Sequence, residues 1–586
     1  MALLIFSNHL ELNNNKIMNT TTTEKTLLGH PRGLVILFFT EMWERFSYYG
    51  MRGLLIVYLT QHFLFSDERS AVLYGAYTAL VYVMTIIGGS LADRYLGARK
   101  AVTFGAILLV LGHFGMAFEG DGSKQVLEYA GSTYEIELDA RGGDARQLIV
   151  NGDNKSYINF TDTEMLIEDG SAVGLDNVIP REDISLRVET QELYLNILYL
   201  SLALIIAGVG FLKANISTIV GSLYGFGDTR RDSGFTIFYM GINLGAFLSS
   251  ITCGILGIAY GWKYGFGLAG IGMALGLFVF LRYQHWLEGK AEPPSMAALK
   301  EKVFLFIDRE MMCYLIGLGI IAVSMFLVMN AELMAGIMLP LGIIMLAVLI
   351  GYAVISLQAE ERGRMLAAIY FVLAQIPFWA LFEQAGSSLN LFTGRLVDRE
   401  MLGWSVPGPV FQSLNAGYII LFAPMLAWLW IWLAKRDLNP SAPVKFAFGV
   451  AMAGLGFLAL VAGMKASGPT GLTPVIFIFL IYWIHTMGEL MLSPVGLSAV
   501  TKLAPARVVG MTMGAWFLYS GLSNYLAGVI ARTTGAETIG GQITNVAAAK
   551  AGYVEVYTNV GYVALGVALF MLLISPIIKK LMHGAD

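Results

Sequence analysis

The chain is 586 residues long, 56% hydrophobic and 14% charged, with a mean hydropathy of +0.65, whereas soluble domains carry about a quarter charged residues. An ordinary soluble enzyme is excluded. The formal charge of −4 conceals a division: residues 119–192 hold 17 acidic and 6 basic side chains against 25 and 32 elsewhere, so an acidic soluble module interrupts a basic membrane protein.

At the N-terminus the apolar MALLIF run is very short and is followed by the polar HLELNNNKIMNTTTTEKT. No signal peptide is read there; residues 1–32 are expected to form a cytoplasmic tail, with Met18 a candidate start. Runs apolar enough to cross about 30 Å of hydrocarbon then fall near 33–60, 73–92, 101–118, 194–222, 235–256 and 264–285, and again near 311–329, 332–357, 365–386, 411–434, 445–465, 474–497, 508–531 and 559–582. Fourteen helices are expected, because lipid tolerates only backbones whose hydrogen bonds are closed and no alternating ten-residue strands occur.

Residues 33–118 and 193–285 carry the first six spans, and 119–192 form the insert between the third and fourth. Its runs STYEIELD, RQLIVNG, KSYINFT and DISLRVET, broken by GG, NGDN and EDGS turns, predict a small β-rich domain, either a tolerated cap or a binding module. Residues 286–310 are polar and contain prolines, as a linker between halves would. The segment 311–357 is a hairpin charged only at Glu332, and 358–586 carry six more spans and a short tail. With the N-terminus inside, 22 Lys and Arg fall in inner segments and seven in outer loops, while six belong to the insert, which lands outside. Both termini are therefore expected in the cytoplasm. Cys253 and Cys313 lie in apolar segments and read as small buried hydrophobes; no metal site is expected.

Three cations remain within spans: Arg45, Arg52 and Lys213. A charge there costs a few kcal/mol or more, which makes each a candidate functional residue. Glu41, Glu44, Arg45, Tyr48, Tyr49 and Arg52 share one helical face. Such a stripe lines an aqueous cavity or pairs with other helices; a static salt-bridge network is the plain alternative. Tyr239 with Asn243, Trp379 with Glu383, and Glu489 with Ser493 recur at i, i+4. Three cations with the carboxylates Glu41, Glu44, Glu383 and Glu489 make a dipolar lining that suits a zwitterion.

EMWERFSYYG at 41–50 resembles the ExxERFxYYG signature of the proton-coupled oligopeptide transporter family, within the major facilitator superfamily. LVYVMTIIGGSLADRYLGARKAV (80–102), GFLKANIS (210–217), FTIFYMGINLGAF (235–247), YGWKYGF (260–266), FWALFEQAGSS (378–388), FQSLNAG (411–417) and GELMLSPVGLS (488–498) are similar to its remaining blocks, in order. The resemblance implies an all-α polytopic membrane protein with the major facilitator fold: two six-helix bundles plus two extra helices, here with the β-rich insert. It further implies symport of di- and tripeptides with protons, the expected partners being membrane lipid and substrate, with no cofactor beyond the coupling proton, no nucleic acid and no obligate protein partner. The fourteen spans suggest a bacterial inner membrane.

Carried over by position, Arg45, Lys213 and Arg52 would bind the peptide carboxylate, and Glu383 beside Asn415 its ammonium. Tyr49, Tyr82, Tyr239, Asn243, Trp379, Ser493 and Trp516 would shape the pocket. Glu41 and Glu44 would exchange between Arg45 and Lys213 for proton coupling, which a desolvated carboxylate beside a cation permits. Glu489 would take part in coupling and reach Arg52 as an outer gate. Asp93 and Arg94, in the DRYLGARK loop, would act in conformational control. Some relatives carry a titratable His where this chain has Gly75, so that coupling role does not transfer; Thr85, Ala214 and Ala416 stand where Pro is common, which removes three kink residues. His485, four residues before Glu489, is the one His marked for testing. An anion transporter, a non-transporting receptor using the insert, and a membrane enzyme are the rival readings; no HExxH motif and no GxSxG in context supports the last.

Overall fold

The computed structural model describes residues 26–139, 145–225 and 227–584; the expected N-terminal tail, including Met18, lies outside them as far as residue 25. Long apolar runs take up helix because each then closes its own backbone hydrogen bonds. The first six are α1 (Gly33–Gln61), α2 (Asp67–Leu91), α3 (Ala98–Met116), α4 (Glu192–Ser222), α5 (Arg231–Ala259) and α6 (Trp262–Tyr283). A hairpin follows, α7 (Arg309–Met329) and α8 (Met334–Ser356). The second half comprises α9 (Ala359–Phe382), α10 (Ser413–Ala434), α11 (Ala442–Ala466), α12 (Ile476–Leu503), α13 (Val509–Arg532) and α14 (Val546–Leu581).

Among the described residues, 12 helices are long and apolar enough to cross a membrane. The two long helices outside that group are α1 and α13. Each is buried along most of its length, and their interior faces carry charges in α1 and Gly, Ser and Asn in α13, which lowers their hydropathy. The second and last helices begin earlier than the apolar runs do, at Asp67 and Val546 rather than near 73 and 559. Their first turns are polar but capped: Ser66 Oγ accepts from Arg69 N at 3.2 Å, and Asn545 Oδ1 from Ala548 N at 2.9 Å. Where Thr85, Ala214 and Ala416 replace Pro, α2, α4 and α10 run on unbroken.

Within the first half α3 packs on α4, and α1 on α5 and α6; within the second, α11 packs on α14 and α12, and α9 on α13. The halves meet through α2 on α13 and α5 on α10, with α7 against α4 and α8 against α13. Cys253 and Cys313 are buried free thiols.

The insert is a seven-stranded antiparallel sheet: β1 (Lys124–Tyr129), β2 (Ser132–Leu138), β3 (Gln147–Asn151), β4 (Asn154–Phe160), β5 (Glu164–Ile167), β6 (Val178–Pro180) and β7 (Ser185–Glu189). It is a meander from β1 to β6 that β7 closes by returning to β1. Inward Leu127, Ile149, Met165 and Ile179 are its core. The sheet stands at the Gln61 end of α1, hereafter the insert side.

Candidate substrate and proton site

The period of α1 turns its charged stripe inward, and Glu41, Glu44, Arg45 and Arg52 are all buried. Arg45 Nε donates to Glu41 Oε1 at 2.7 Å and lies 2.8 Å from Glu44 Oε2. Two carboxylates therefore share one guanidinium, and neither Glu44 oxygen has an aligned hydrogen-bond donor among the described residues. Lys213, on α4, forms no ion pair with a carboxylate among the described residues; its Nζ lies 4.0 Å from the centroid of the Tyr82 ring, a cation–π contact.

In the second half, Glu383 opens the 3₁₀ turn after α9. Arg52 Nη2 is ion-paired with Glu383 Oε2, and its Nε donates to Tyr74 Oη at 2.7 Å. Asn415 Nδ2 donates to Glu489 Oε2 at 2.8 Å and to Thr486 Oγ1 at 3.1 Å. Glu489 meets no cation in an ion pair among the described residues. The pairings thus differ from those expected on two counts. Arg52 is joined to Glu383 rather than Glu489, and Asn415 stands beside Glu489 rather than Glu383. The reason is local packing: the turn Glu383–Gly386 lies directly against Arg52, a Cβ built on Gly386 falling 3.2 Å from Arg52 Nη2.

The insert side is closed. Beyond Arg52 and Glu383, Arg395 Nη1 donates to both oxygens of Asp67, at 3.0 and 2.8 Å, with both side chains buried. Asn390 Nδ2 donates to Gly53 O at 2.8 Å. Gly75, on α2, faces Gly528 on α13; a Cβ built on Gly75 would lie 2.8 Å from Gly528 Cα, so an imidazole at this position has no room. The opposite side holds a cavity of about 960 Å³ that Tyr239, Trp430, Lys445, Glu489, Ser493 and Lys502 help to line. It runs from Glu489 toward the ends of α10, α11 and α12 remote from the insert.

The other expected site residues divide. Tyr239 and Ser493 line the cavity with Glu489, and Tyr49 lies under Arg52, 5.9 Å from ring centroid to Cζ. Asn243 Nδ2 donates to the Tyr239 carbonyl of its own helix at 3.0 Å. Trp379 stands edge-on to Phe378 and Phe382. Trp516 is buried against Gly496 and Phe446 and does not line this cavity. His485 bonds the Ala453 carbonyl at 3.0 Å and packs on Phe457, which marks it as a core residue. Asp93 and Arg94 are exposed in a π-helical turn, Ala92–Leu96. After it Gly97 takes φ +76°, and a Cβ there would sit 2.5 Å from Pro293 N; Arg99 then grips Glu292 of the linker at 2.5 and 2.9 Å. The loop therefore docks the linker.

Asp67, Tyr74 and Arg395 are functional candidates that sequence reasoning missed. Arg395 reads as an outer-loop charge, yet a short helix, Ser388–Leu396, carries it back among buried residues. The amphipathic SLNLFTGRL run was the available signal.

The POT family model matches residues 99–546. The chain belongs to the POT family. The uncharacterized transporter YclF of Bacillus subtilis is 32% identical over 97% of this chain and 99% of its own length. The peptide transporter YePEPT of Yersinia enterocolitica is 31% identical, over 88% and 90%; a dipeptide and tripeptide permease B of Aliivibrio fischeri is 29% identical, over 96% and 97%. Among solved structures, a variant of a POT peptide transporter in complex with alafosfalin is similar at a TM-score of 0.72 and 32% identity, covering 96% of this chain and 98% of that one. A POT family transporter in complex with 5-aminolevulinic acid is similar at 0.71 and 28%, covering 95% and 98%. With the twelve apolar helices, membership makes this chain an integral membrane protein.

Proposed function

We propose that this POT family member is a proton-coupled symporter that imports di- and tripeptides across the cytoplasmic membrane by alternating access. One observation carries the reading: among the described residues of the helical interior, Lys213 on α4 forms no ion pair with a carboxylate and Glu489 on α12 forms none with a cation. A free peptide is a zwitterion, and its two ends match those two charges. Its carboxylate would meet Lys213 and the outer face of Arg45. Its ammonium would meet Glu489 and Asn415, with Tyr49, Tyr82, Tyr239, Asn243, Trp379 and Ser493 shaping the space around it, while the packed Trp516 would support it from behind. The names of the relatives, peptide transporters and dipeptide and tripeptide permeases, support the same substrate class.

All fourteen helices would span, including α1 and α13, whose polar residues turn inward. The basic residues of the inner loops support cytoplasmic termini and an external insert, and the fourteen spans support a bacterial inner membrane as the location. The proton would be held where Glu41 and Glu44 share Arg45. A peptide carboxylate competing for that guanidinium would free one of them to be protonated, which ties proton movement to substrate. Opening on the insert side would require Arg52 and Glu383 to part, so the outer gate read onto Glu489 falls to Glu383. Protonation of Glu383 would release Arg52, and the halves would rock about the fixed site. Asp93 and Arg94 would act at the opposite side.

Liposomes loaded by uptake of labelled dialanine test the recognition. Unlabelled dialanine is expected to compete, whereas N-acetylated and C-amidated dialanine fail. Equal competition by the capped peptides would rule out capture of both charged ends.

A further inference from the structure

The insert belongs by sequence to the first half of the molecule, but it grips the second. Its roots are bonded to the first half: Ser123 N donates to His62 O at 2.8 Å, and Lys263 N donates to Glu119 Oε2 at 2.9 Å. Its sheet holds the loop 533–545 between α13 and α14. Arg181 Nη2 pairs with Glu537 Oε1 at 2.6 Å, Asn545 Nδ2 donates to Asp162 Oδ1 at 2.8 Å, and Gln147 Nε2 donates to the Ile539 carbonyl. Ile539 is buried in the core of the sheet, where it joins Ile149 and Met165. The same loop is tied from below, since Ala536 N donates to Asp67 Oδ2 at 3.2 Å, the carboxylate that also holds Arg395.

We infer that the insert is a strap that clasps the two halves together on its own side and biases the carrier toward the state open on the other. The reasoning is geometric. A rigid-body rocking that opens the insert side separates the first half from the second there. The strap is fixed to one and seated on the other, so opening must pull Ile539 out of an apolar core and break the contacts of Gln147, Asp162 and Arg181. Closure must restore all of them together. The insert therefore adds interactions to one conformation and none to the other, which is what shifts a two-state equilibrium. A sheet merely tolerated between α3 and α4 would have no need to accept an isoleucine from a distant loop.

The inference rests on the alternating-access reading, but its test uses no peptide. Asn390 is buried at the closed face, so in a background of Cys253→Ala and Cys313→Ala an Asn390→Cys thiol reports opening through its alkylation by an impermeant maleimide in nanodiscs. Ile539→Asp lesions the loop and Gln147→Ala lesions the sheet, so misfolding of either element alone does not imitate the result. Each is expected to raise the alkylation rate about threefold or more over the parent. Rates equal to the parent in both variants would overturn the strap. If the rates respond while the parent fails to take up dialanine, the strap stands and the peptide-transport reading falls.

Discussion

Lys213 and Glu489 differ from Arg45, Arg52, Glu41 and Glu383 in forming no ion pair among the described residues. Arg45 and Arg52 are already engaged by carboxylates, and breaking a buried pair by removing one member costs several kcal/mol. Lys213→Ala removes no such pair, so the fold should survive while the substrate loses its anchor. A hydrogen bond to a charged group contributes about 1.5–3 kcal/mol, so dialanine should bind roughly 10- to 100-fold more weakly by calorimetry; unchanged affinity would remove Lys213 from the site. Glu489→Gln should instead erase the preference for a free over an acetylated N-terminus, and a preserved ratio would place the ammonium elsewhere. Much at this scale was legible in sequence. The α1 stripe follows from spacing alone, because 3.6 residues per turn brings Glu41, Glu44, Arg45 and Arg52 to one face. The partner of Arg52 was not legible, since nothing in spacing relates depth along α1 to depth along α9 or α12.

Between elements, small residues and caps decide what sequence periodicity leaves open. The approach of α2 to α13 depends on Gly75 and Gly528, where even a methyl group meets backbone at 2.8 Å. Gly75→Ala should cost about 1–3 kcal/mol in the closed insert side, as overpacking does, and raise alkylation of the Asn390→Cys reporter; an unchanged rate would mean the halves relax around it. The insert's grip has a pH signature. Hydrogen bonds from Arg181 and Thr544 hold the Glu537 carboxyl below its usual range. A depressed acid contributes stability that is complete above its ordinary pKa and lost as the pH falls through the folded value. Protection of residues 533–545 in hydrogen exchange should therefore match at neutral pH and above and decline in acid, below about pH 4; Glu537→Gln should remove that acid step, and its persistence would assign the step to another group. The strands of the insert were readable from alternation and turn residues. Their seat on loop 533–545 was not, because Ile539 is one of two isoleucines in a polar loop and its burial depends on a sheet nearly four hundred residues earlier.

For the whole molecule, the insert side is sealed by two ion pairs between halves, Arg52 with Glu383 and Asp67 with Arg395, and by the insert above them. The cavity opens at the other end, with Glu489 at its head. This is one of the two states an alternating-access carrier visits. Composition and the ordered family motifs made the membrane class and the two halves legible, whereas which side is closed depends on contacts between halves that no local pattern encodes. Proton-driven peptide import would show as accumulation of labelled dialanine in liposomes under an inward proton gradient, measured with and without an uncoupler. Uphill uptake that the uncoupler abolishes is the predicted result. Accumulation that ignores the uncoupler, or no uptake in either condition, would contradict it.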